Sequence, residues 1–273
     1  MMAFLNFIHW NIDPEIFSLG PLSIRWYGLL FALGFFIGQY IMTKIYKNEG
    51  RKPEDVDTLT IYVVIGTVVG ARLGHCLFYQ PEYYLADPIR ILKVWEGGLA
   101  SHGGAIGILL ALYYYTKNRA GQSYLWVVDR LVIPVALAGS FIRLGNLMNS
   151  EIYGHETNLP WGFIFERNGE TLPMHPTQIY ESLAYLSIFF ILKTMYNKTQ
   201  GQTPHGKLLG WFLILVFGFR FAIEFLKNDQ VAFEAGMLLN MGQILSIPAV
   251  LGGIFLVYRA SKKGLVQEEE LVK

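Results

Sequence analysis

Charge is scarce in this chain: only 16% of its 273 residues are Asp, Glu, Lys or Arg, against about 25% in an ordinary soluble domain. The formal net charge is +1, so no basic excess is present to neutralise a phosphate backbone, and nucleic acid is excluded as a partner. A single cysteine, Cys76, excludes a disulfide within the chain and reads as a packing residue in an apolar run. The six histidines lack HExxH or CxxC-like spacing, so neither a metal nor another cofactor is expected. Met1 to Trp10 carries no basic stretch and no small-residue cleavage site and is not read as a removable signal peptide. No internal repeat is visible, which removes sequence support for the inverted symmetry of many transporters.

What the chain does have is apolar sequence, 53% of it, gathered into runs near 20 residues. Runs of that length match the hydrocarbon thickness of a bilayer. They predict an all-α polytopic membrane protein with about seven transmembrane helices, one integral domain over residues 1–273. The spans run Leu22–Tyr46, Leu59–Phe78, Leu99–Tyr115, Leu125–Asn146, Gln178–Met195, Leu208–Leu226 and Met241–Tyr258.

Basic residues set the expected orientation. Lys44, Lys47, Arg51 and Lys52 follow span one; Lys117 and Arg119 follow span three; Lys193, Lys198 and Lys207 follow span five. The tail holds Arg259, Lys262, Lys263 and Lys273, whereas residues 1–20 hold no Lys or Arg. The N-terminus is therefore expected outside and the C-terminus in the cytoplasm. Residues 147–176, with Pro160, Pro173 and Pro176, are expected to form a small extracytoplasmic cap. Within it, Trp161 to Gly169 reads as a strand entering an Asn-Gly hairpin.

Small residues recur at helical spacing: Gly66, Gly70 and Gly74 in span two, Gly34 and Gly38 in span one. This is the pattern of close helix packing, with dimerisation as the alternative.

The polar residues inside the spans cluster by depth. Tyr27 opens span one, Ser101-His102-Gly103-Gly104 opens span three, and Arg143 and Asn146 close span four. His175 to Glu181 opens span five. In span six Arg220, Glu224 and Lys227 share a face. All of these fall in the outer half of the expected bilayer, and the inner halves of spans four and six read as apolar. A channel or pump strings polar groups across the membrane; a site confined to one leaflet suits a protein acting on a lipid head group. Arg143 and Arg220 each offer a fork that binds phosphate through two parallel hydrogen bonds. Gly103 and Gly104 would leave the amides opening span three uncovered for an anion. Arg220 with Glu224 also reads as a structural ion pair at i,i+4, whereas Arg143 has no acid at that spacing. Glu151 and Tyr153 read equally as organisers of the loop after span four.

The stretch Arg143-Leu144-Gly145-Asn146 followed by Asn149-Ser150-Glu151-Ile152-Tyr153-Gly154 resembles the signature of bacterial prolipoprotein diacylglyceryl transferases. So do Trp26-Tyr27-Gly28, Gly97 to Gly104, His175 to Glu181, Phe219-Arg220-Phe221 with Glu224-Phe225, and Met241 to Pro248, in order along the chain. Departures are Ile142 for a usual Gly, Leu147 for Phe, Lys227 for a second Arg and Val216 for an expected Tyr.

The resemblance implies a protein of the bacterial cytoplasmic (inner) membrane that moves the diacylglyceryl group of phosphatidylglycerol onto the lipobox cysteine of a prolipoprotein. A thioether forms and glycerol phosphate is released, the first step of lipoprotein maturation. Carried over by motif, the site residues are Tyr27, His102, Arg143, Asn146, Glu151, Gly154, Arg220 and Glu224. His102, Arg143, Arg220 and Tyr27 are the catalytic candidates; Arg143, Asn146, Glu151, Gly154, Arg220 and Glu224 are the candidates for phosphatidylglycerol binding. The partners implied are that lipid, prolipoprotein signal peptides and membrane lipid. The nucleophile comes from the substrate, so Cys76 has no role. A lipid or anion transporter and a purely structural membrane subunit are the competing readings.

Overall fold

A computed structural model describes residues 7–20, 22–94, 97–117, 119–228 and 237–263. Lys273, part of the basic tail that helped set the expected orientation, lies outside the described residues, as do Met1 to Asn6 of the stretch examined for a signal peptide. Eight α-helices are described: α1 (Trp26–Asn48), α2 (Asp55–Phe78), α3 (Pro81–Ala86), α4 (Ser101–Lys117), α5 (Tyr124–Met148), α6 (Thr177–Lys198), α7 (Lys207–Ile223) and α8 (Met241–Lys263). Five spans, α1, α2, α5, α7 with the 3-10 turn that continues it to Leu226, and α8, are long and apolar enough to cross a membrane. The protein is polytopic and mostly helical. The helix α4 has 17 residues, and α6 is the less apolar of the remaining two long helices because Gln178, Glu181 and Ser182 occupy its first turns.

Four short strands complete the elements: β1 (Ile8–Trp10), β2 (Glu15–Leu19), β3 (Leu22–Arg25) and β4 (Phe163–Phe165). The strands β2 and β3 form an antiparallel hairpin turning at Gly20, whose φ of +60° only glycine adopts without strain. Residues 22–25 are thus strand, and the first span begins at Trp26 rather than Leu22. The expected Asn-Gly hairpin is absent. The strand at Phe163–Phe165 exists, but it pairs in parallel with β1 from the N-terminus. Glu166–Asn168 then winds into a 3-10 turn ended by Gly169 at φ +75°. The chain returns only at Met174, which exchanges two backbone hydrogen bonds with Phe163.

The described residues divide into two compact units, one taking the chain up to Tyr40 and from Val132 onward, the other Ile41–Leu131. In the first, Leu147, Phe163 and Phe165 form a small core with Trp10, Tyr153 and Met174 packed around it. The Trp10 indole donates to the Leu147 carbonyl at 3.0 Å, tying β1 to the end of α5. A methyl on Gly34 would stand 3.1 Å from the Ala138 side chain, so α1 lies close along α5 there. Likewise α7 and α8 meet at Gly210 and Gly253.

In the second unit the glycine stripe of α2 packs on α4: a methyl on Gly70 would come 2.7 Å from the Gly107 Cα, and one on Gly74 2.7 Å from the Gly103 Cα. The spacing read from sequence is therefore contact within the chain, of the small-residue kind that lets backbones approach. Gly103 is buried in this contact rather than left open for an anion.

Asp129 and Arg130, in the early turns of α5, are buried. Arg130 pairs with Asp129 at 3.0 Å and with Glu49 at 3.0 Å, and the Trp126 indole donates to Glu49 at 2.7 Å. The expectation that span four carries only apolar residues in its inner half is thereby corrected. Two adjacent opposite charges satisfy each other inside an apolar run, so sequence hydropathy passes over them.

Candidate functional site

The first unit gathers a charged cluster where α5 ends, α6 begins and α7 gives way to the 3-10 turn Glu224–Leu226. Arg143, in the last turns of α5, donates through Nη1 to the Asn146 side-chain oxygen at 3.1 Å. The Asn146 amide in turn donates to Glu151 at 2.7 Å, and Asn149 donates to the same oxygen at 3.1 Å. Helical spacing puts Arg143 and Asn146 side by side; the turn after α5 brings Glu151 back to them.

That turn is strained and held from several sides. Ser150 and Ile152 have φ of +55° and +61°, the left-handed region that a β-branched residue rarely visits. Three successive carbonyls are clamped by side chains: Ser150 by Asn168 at 2.6 Å, Glu151 by Gln178 at 2.7 Å, Ile152 by Thr177 at 2.8 Å. Two of those donors open α6, so the helix start fixes the loop that positions Glu151.

Arg143 does have an acid partner, and it comes from α6: its Nε lies 3.3 Å from Glu181 Oε2, an ion pair without hydrogen-bond alignment. The other Glu181 oxygen accepts from Lys227 Nζ at 3.0 Å. Lys227 also reaches Glu224 Oε1 at 3.4 Å, and Arg220 Nε stands 3.5 Å from that oxygen. The remaining Glu224 oxygen accepts from the Asn240 amide at 3.1 Å. Five charges thus alternate in sign: Arg143, Glu181, Lys227, Glu224, Arg220.

Exposure rises toward both ends of this row. The side chains of Glu181, Lys227 and Glu224 are 0%, 1% and 5% exposed, against 14% for Arg143 and 36% for Arg220. The interior is neutralised internally, and the two guanidinium groups at the ends are its more accessible members.

Two glycines set the shape. A methyl on Gly145 would lie 2.7 Å from the Tyr27 ring, so Tyr27, the second residue of α1, rests against α5 beside Arg143 and Asn146. Gly154 is buried and bridges Lys227 in an antiparallel pair. A methyl there would stand 2.8 Å from the Thr177 side chain and collide with the Leu226 carbonyl. Gly154 therefore docks the backbone that carries Lys227. Gly242 packs just as closely on the Glu224 carboxylate.

The last of the site residues expected from sequence, His102, belongs to the other unit, at the second position of α4. Its ring centroid is 5.9 Å from that of Phe78 and 5.8 Å from that of Tyr79, and the residue is exposed.

The family model of prolipoprotein diacylglyceryl transferase matches residues 14–259. The chain belongs to this family. A Tolumonas auensis protein called phosphatidylglycerol–prolipoprotein diacylglyceryl transferase is 53% identical over 256 residues, covering 94% of this chain and 98% of its own. Proteins of the same name from Chloroherpeton thalassium and Porphyromonas gingivalis are 48% and 47% identical, each covered over at least 98% of its length.

For a member of this family, sequence reasoning left out two residues at the centre of the site. Glu181 stood inside the His175 to Glu181 motif without a role, although Tyr185 four positions on marked the same helical face; the Tyr185 hydroxyl stands 3.5 Å from its carboxylate. Lys227 was placed on the face of Arg220 and Glu224 and noted as a departure from a second Arg, but was given no role in the site. As a point charge it reaches two carboxylates at once, which asks less of geometry than a planar fork.

Proposed function

We propose that the chain transfers the diacylglyceryl group of phosphatidylglycerol to the lipobox cysteine of prolipoproteins, releasing glycerol phosphate. The observation that carries this reading is the pair of guanidinium groups, the mostly buried Arg143 and the more exposed Arg220, ending a row of charges otherwise neutralised within the protein. Family membership supplies the reaction class.

The substrate thiol attacks the glyceryl carbon; a carbon–sulfur bond forms as the carbon–oxygen bond to phosphate breaks. Arg143 and Arg220 stabilise the charge gathering on the departing phosphate. Tyr27 and Asn146 orient the head group, Asn146 fixed in turn by Glu151. Glu224 holds Arg220, and Gly154 seats the backbone beneath. The base for the thiol proton, carried over by motif, is His102; a free thiol ionises near pH 8.5, so a base raises the thiolate fraction at neutral pH.

The setting we propose is the bacterial cytoplasmic membrane, crossed seven times by a single integral domain. The N-terminus is outside, the C-terminus is cytoplasmic, and residues 147–176 form a small extracytoplasmic cap. The polar residues gathered toward the ends of the spans read as outer support this orientation, and nucleic acid has no part in it.

The test is a mass spectrum of a lipobox peptide incubated with purified protein and phosphatidylglycerol. A diacylglyceryl gain on the cysteine with the native chain and none with Arg143→Ala is expected. No gain with well-folded native protein, across several anionic lipids, would overturn the reading in favour of transport. If His102→Gln left turnover and its pH profile unchanged, His102 would not be the base.

A further inference from the structure

Arg72 lies inside α2, 2% exposed, in a helix apolar enough to cross a membrane. A guanidinium buried there is costly unless its donors are met. They are met by backbone carbonyls from two separate stretches of the chain. Nε donates to Ile91 at 3.0 Å and Nη2 to Arg90, both in the 3-10 turn Pro88–Leu92. Nη1 donates to Gly97 and, at 3.4 Å, to Gly98. The Tyr84 ring of α3 covers the guanidinium at 4.8 Å. A planar fork with five donors serves acceptors on both sides at once; an ammonium, with three donors on one atom, does not.

The second stretch leads directly into α4. Gly97 and Gly98 have φ of +87° and +70°, and Gly98 is wedged between two side chains of α2. A methyl on it would stand 3.0 Å from Arg72 Nη1 and 2.6 Å from the His75 ring. Two residues on, the Ala100 amide donates to the Ala71 carbonyl at 2.9 Å, and the Ala100 carbonyl accepts from Gly104 at 3.1 Å as α4 begins. Ala71 and Arg72 thus fix residues 97–100 from adjacent positions of one helix. His102 follows two residues later, its ring against those of Phe78 and Tyr79 where α2 ends.

We propose that Arg72 is a positioning residue for His102: by clamping the carbonyls of Gly97 and Gly98 it sets where α4 starts and so where the imidazole stands. It acts through the backbone of residues 97–101, not on the substrate. The inference rests on His102 as the base for the substrate thiol. The other titratable groups around this segment are His75, Tyr79 and Tyr84, and the test alters none of them.

The test is diacylglyceryl transfer to a lipobox peptide, with kcat and the KM for phosphatidylglycerol measured on the folded fraction of Arg72→Lys, His102→Gln and the double variant. Arg72→Lys keeps a cation and loses the fork. It should lower kcat at pH 7 by between about tenfold and about a hundredfold, the weight of a misplacement of up to 1 Å, and leave KM unchanged. Added to His102→Gln it should cost no more than about twofold further, because no base is left to place. The loss should also shrink as pH rises from about 7 to about 9, past the free-thiol value near 8.5, where thiolate forms unaided. Gly98→Ala keeps the guanidinium and disturbs the same backbone; it should show the same signatures and takes the place of Arg72→Lys if that variant does not fold. A loss of equal factor with and without His102, a loss constant with pH, or one carried by KM would make Arg72 structural only and overturn the proposal. So would full activity in Arg72→Lys beside a damaged His102→Gln. Full activity in His102→Gln is the separate failure of the base reading and removes the inference with it.

Discussion

Lys227 Nζ stands 3.0 Å from Glu181 Oε1, with the two side chains 1% and 0% exposed. One comes from the end of α7's continuation, the other from the second turn of α6, 46 positions apart in sequence. Each would lose its shortest charged contact without the other, Glu181 keeping only Arg143 and Lys227 only Glu224, so the pair ties these two segments together.

Removing one member should therefore cost far more than removing both. Glu181→Ala alone should destabilise the protein by about 3–5 kcal/mol, as removal of one partner from a buried ion pair does. A double change to residues of similar volume, Glu181→Gln with Lys227→Met, should recover most of that. Thermal unfolding in detergent gives both values, and equal losses for single and double variants would remove the pair from the account.

Gly154 has no room for a side chain. Gly154→Ala should push the Leu226 carbonyl away, displace Lys227 and cost about 1–3 kcal/mol, the usual range for an overpacked contact. Transfer activity should fall with it. An unchanged melting temperature together with full activity would contradict the close approach.

The glycines of α2 and α4 make a contrasting pair of substitutions possible. A methyl on Gly107 would stand 2.8 Å from the Gly70 Cα, whereas one on Gly252 in α8 meets nothing within 4 Å. Gly107→Ala should destabilise by about 1–3 kcal/mol, and Gly252→Ala should stabilise by up to about 1 kcal/mol through lower chain entropy. Similar shifts of the melting curve for the two would argue against backbone contact between α2 and α4.

His175 provides a pH dependence whose sign is fixed. Burial, and then the charge of His155, hold its pKa below the usual histidine value. The unfolded chain then binds the proton more readily, so stability rises with pH. The contribution is complete above the ordinary value near 6.5 and is lost as pH falls through the lowered folded value. Hydrogen exchange of residues 151–176, corrected for intrinsic rate, should therefore speed up between about pH 7.5 and about pH 5.5, on either side of the ordinary histidine value. His175→Gln should flatten that change.

Much of this was already fixed by the chain as written. Apolar runs of span length dictate helices, since a backbone in hydrocarbon must satisfy its own hydrogen bonds. Helical periodicity put Arg143 beside Asn146 and Arg220 beside Glu224, as found at 3.1 and 3.5 Å. The glycine spacing of α2 announced a close helix contact, and the ordered motifs carried the family. These features are local, set by 3.6 residues per turn and by length.

Tertiary structure alone decided the partners that cross between elements. That Glu181 serves both Arg143 and Lys227 depends on how α5, α6 and the end of α7 are rotated about their axes, which no local pattern encodes. That Phe163–Phe165 pairs with Ile8–Trp10 instead of folding back on an Asn-Gly turn follows from the Trp10 and Leu147 packing beneath it. Asp129 and Arg130 escaped notice because two adjacent opposite charges pair with each other inside an apolar run, and Arg130 gains a second partner, Glu49, only through the fold. The sequence determined where charge enters the apolar part of the protein; the fold decided which charges are buried against each other and which stay more exposed.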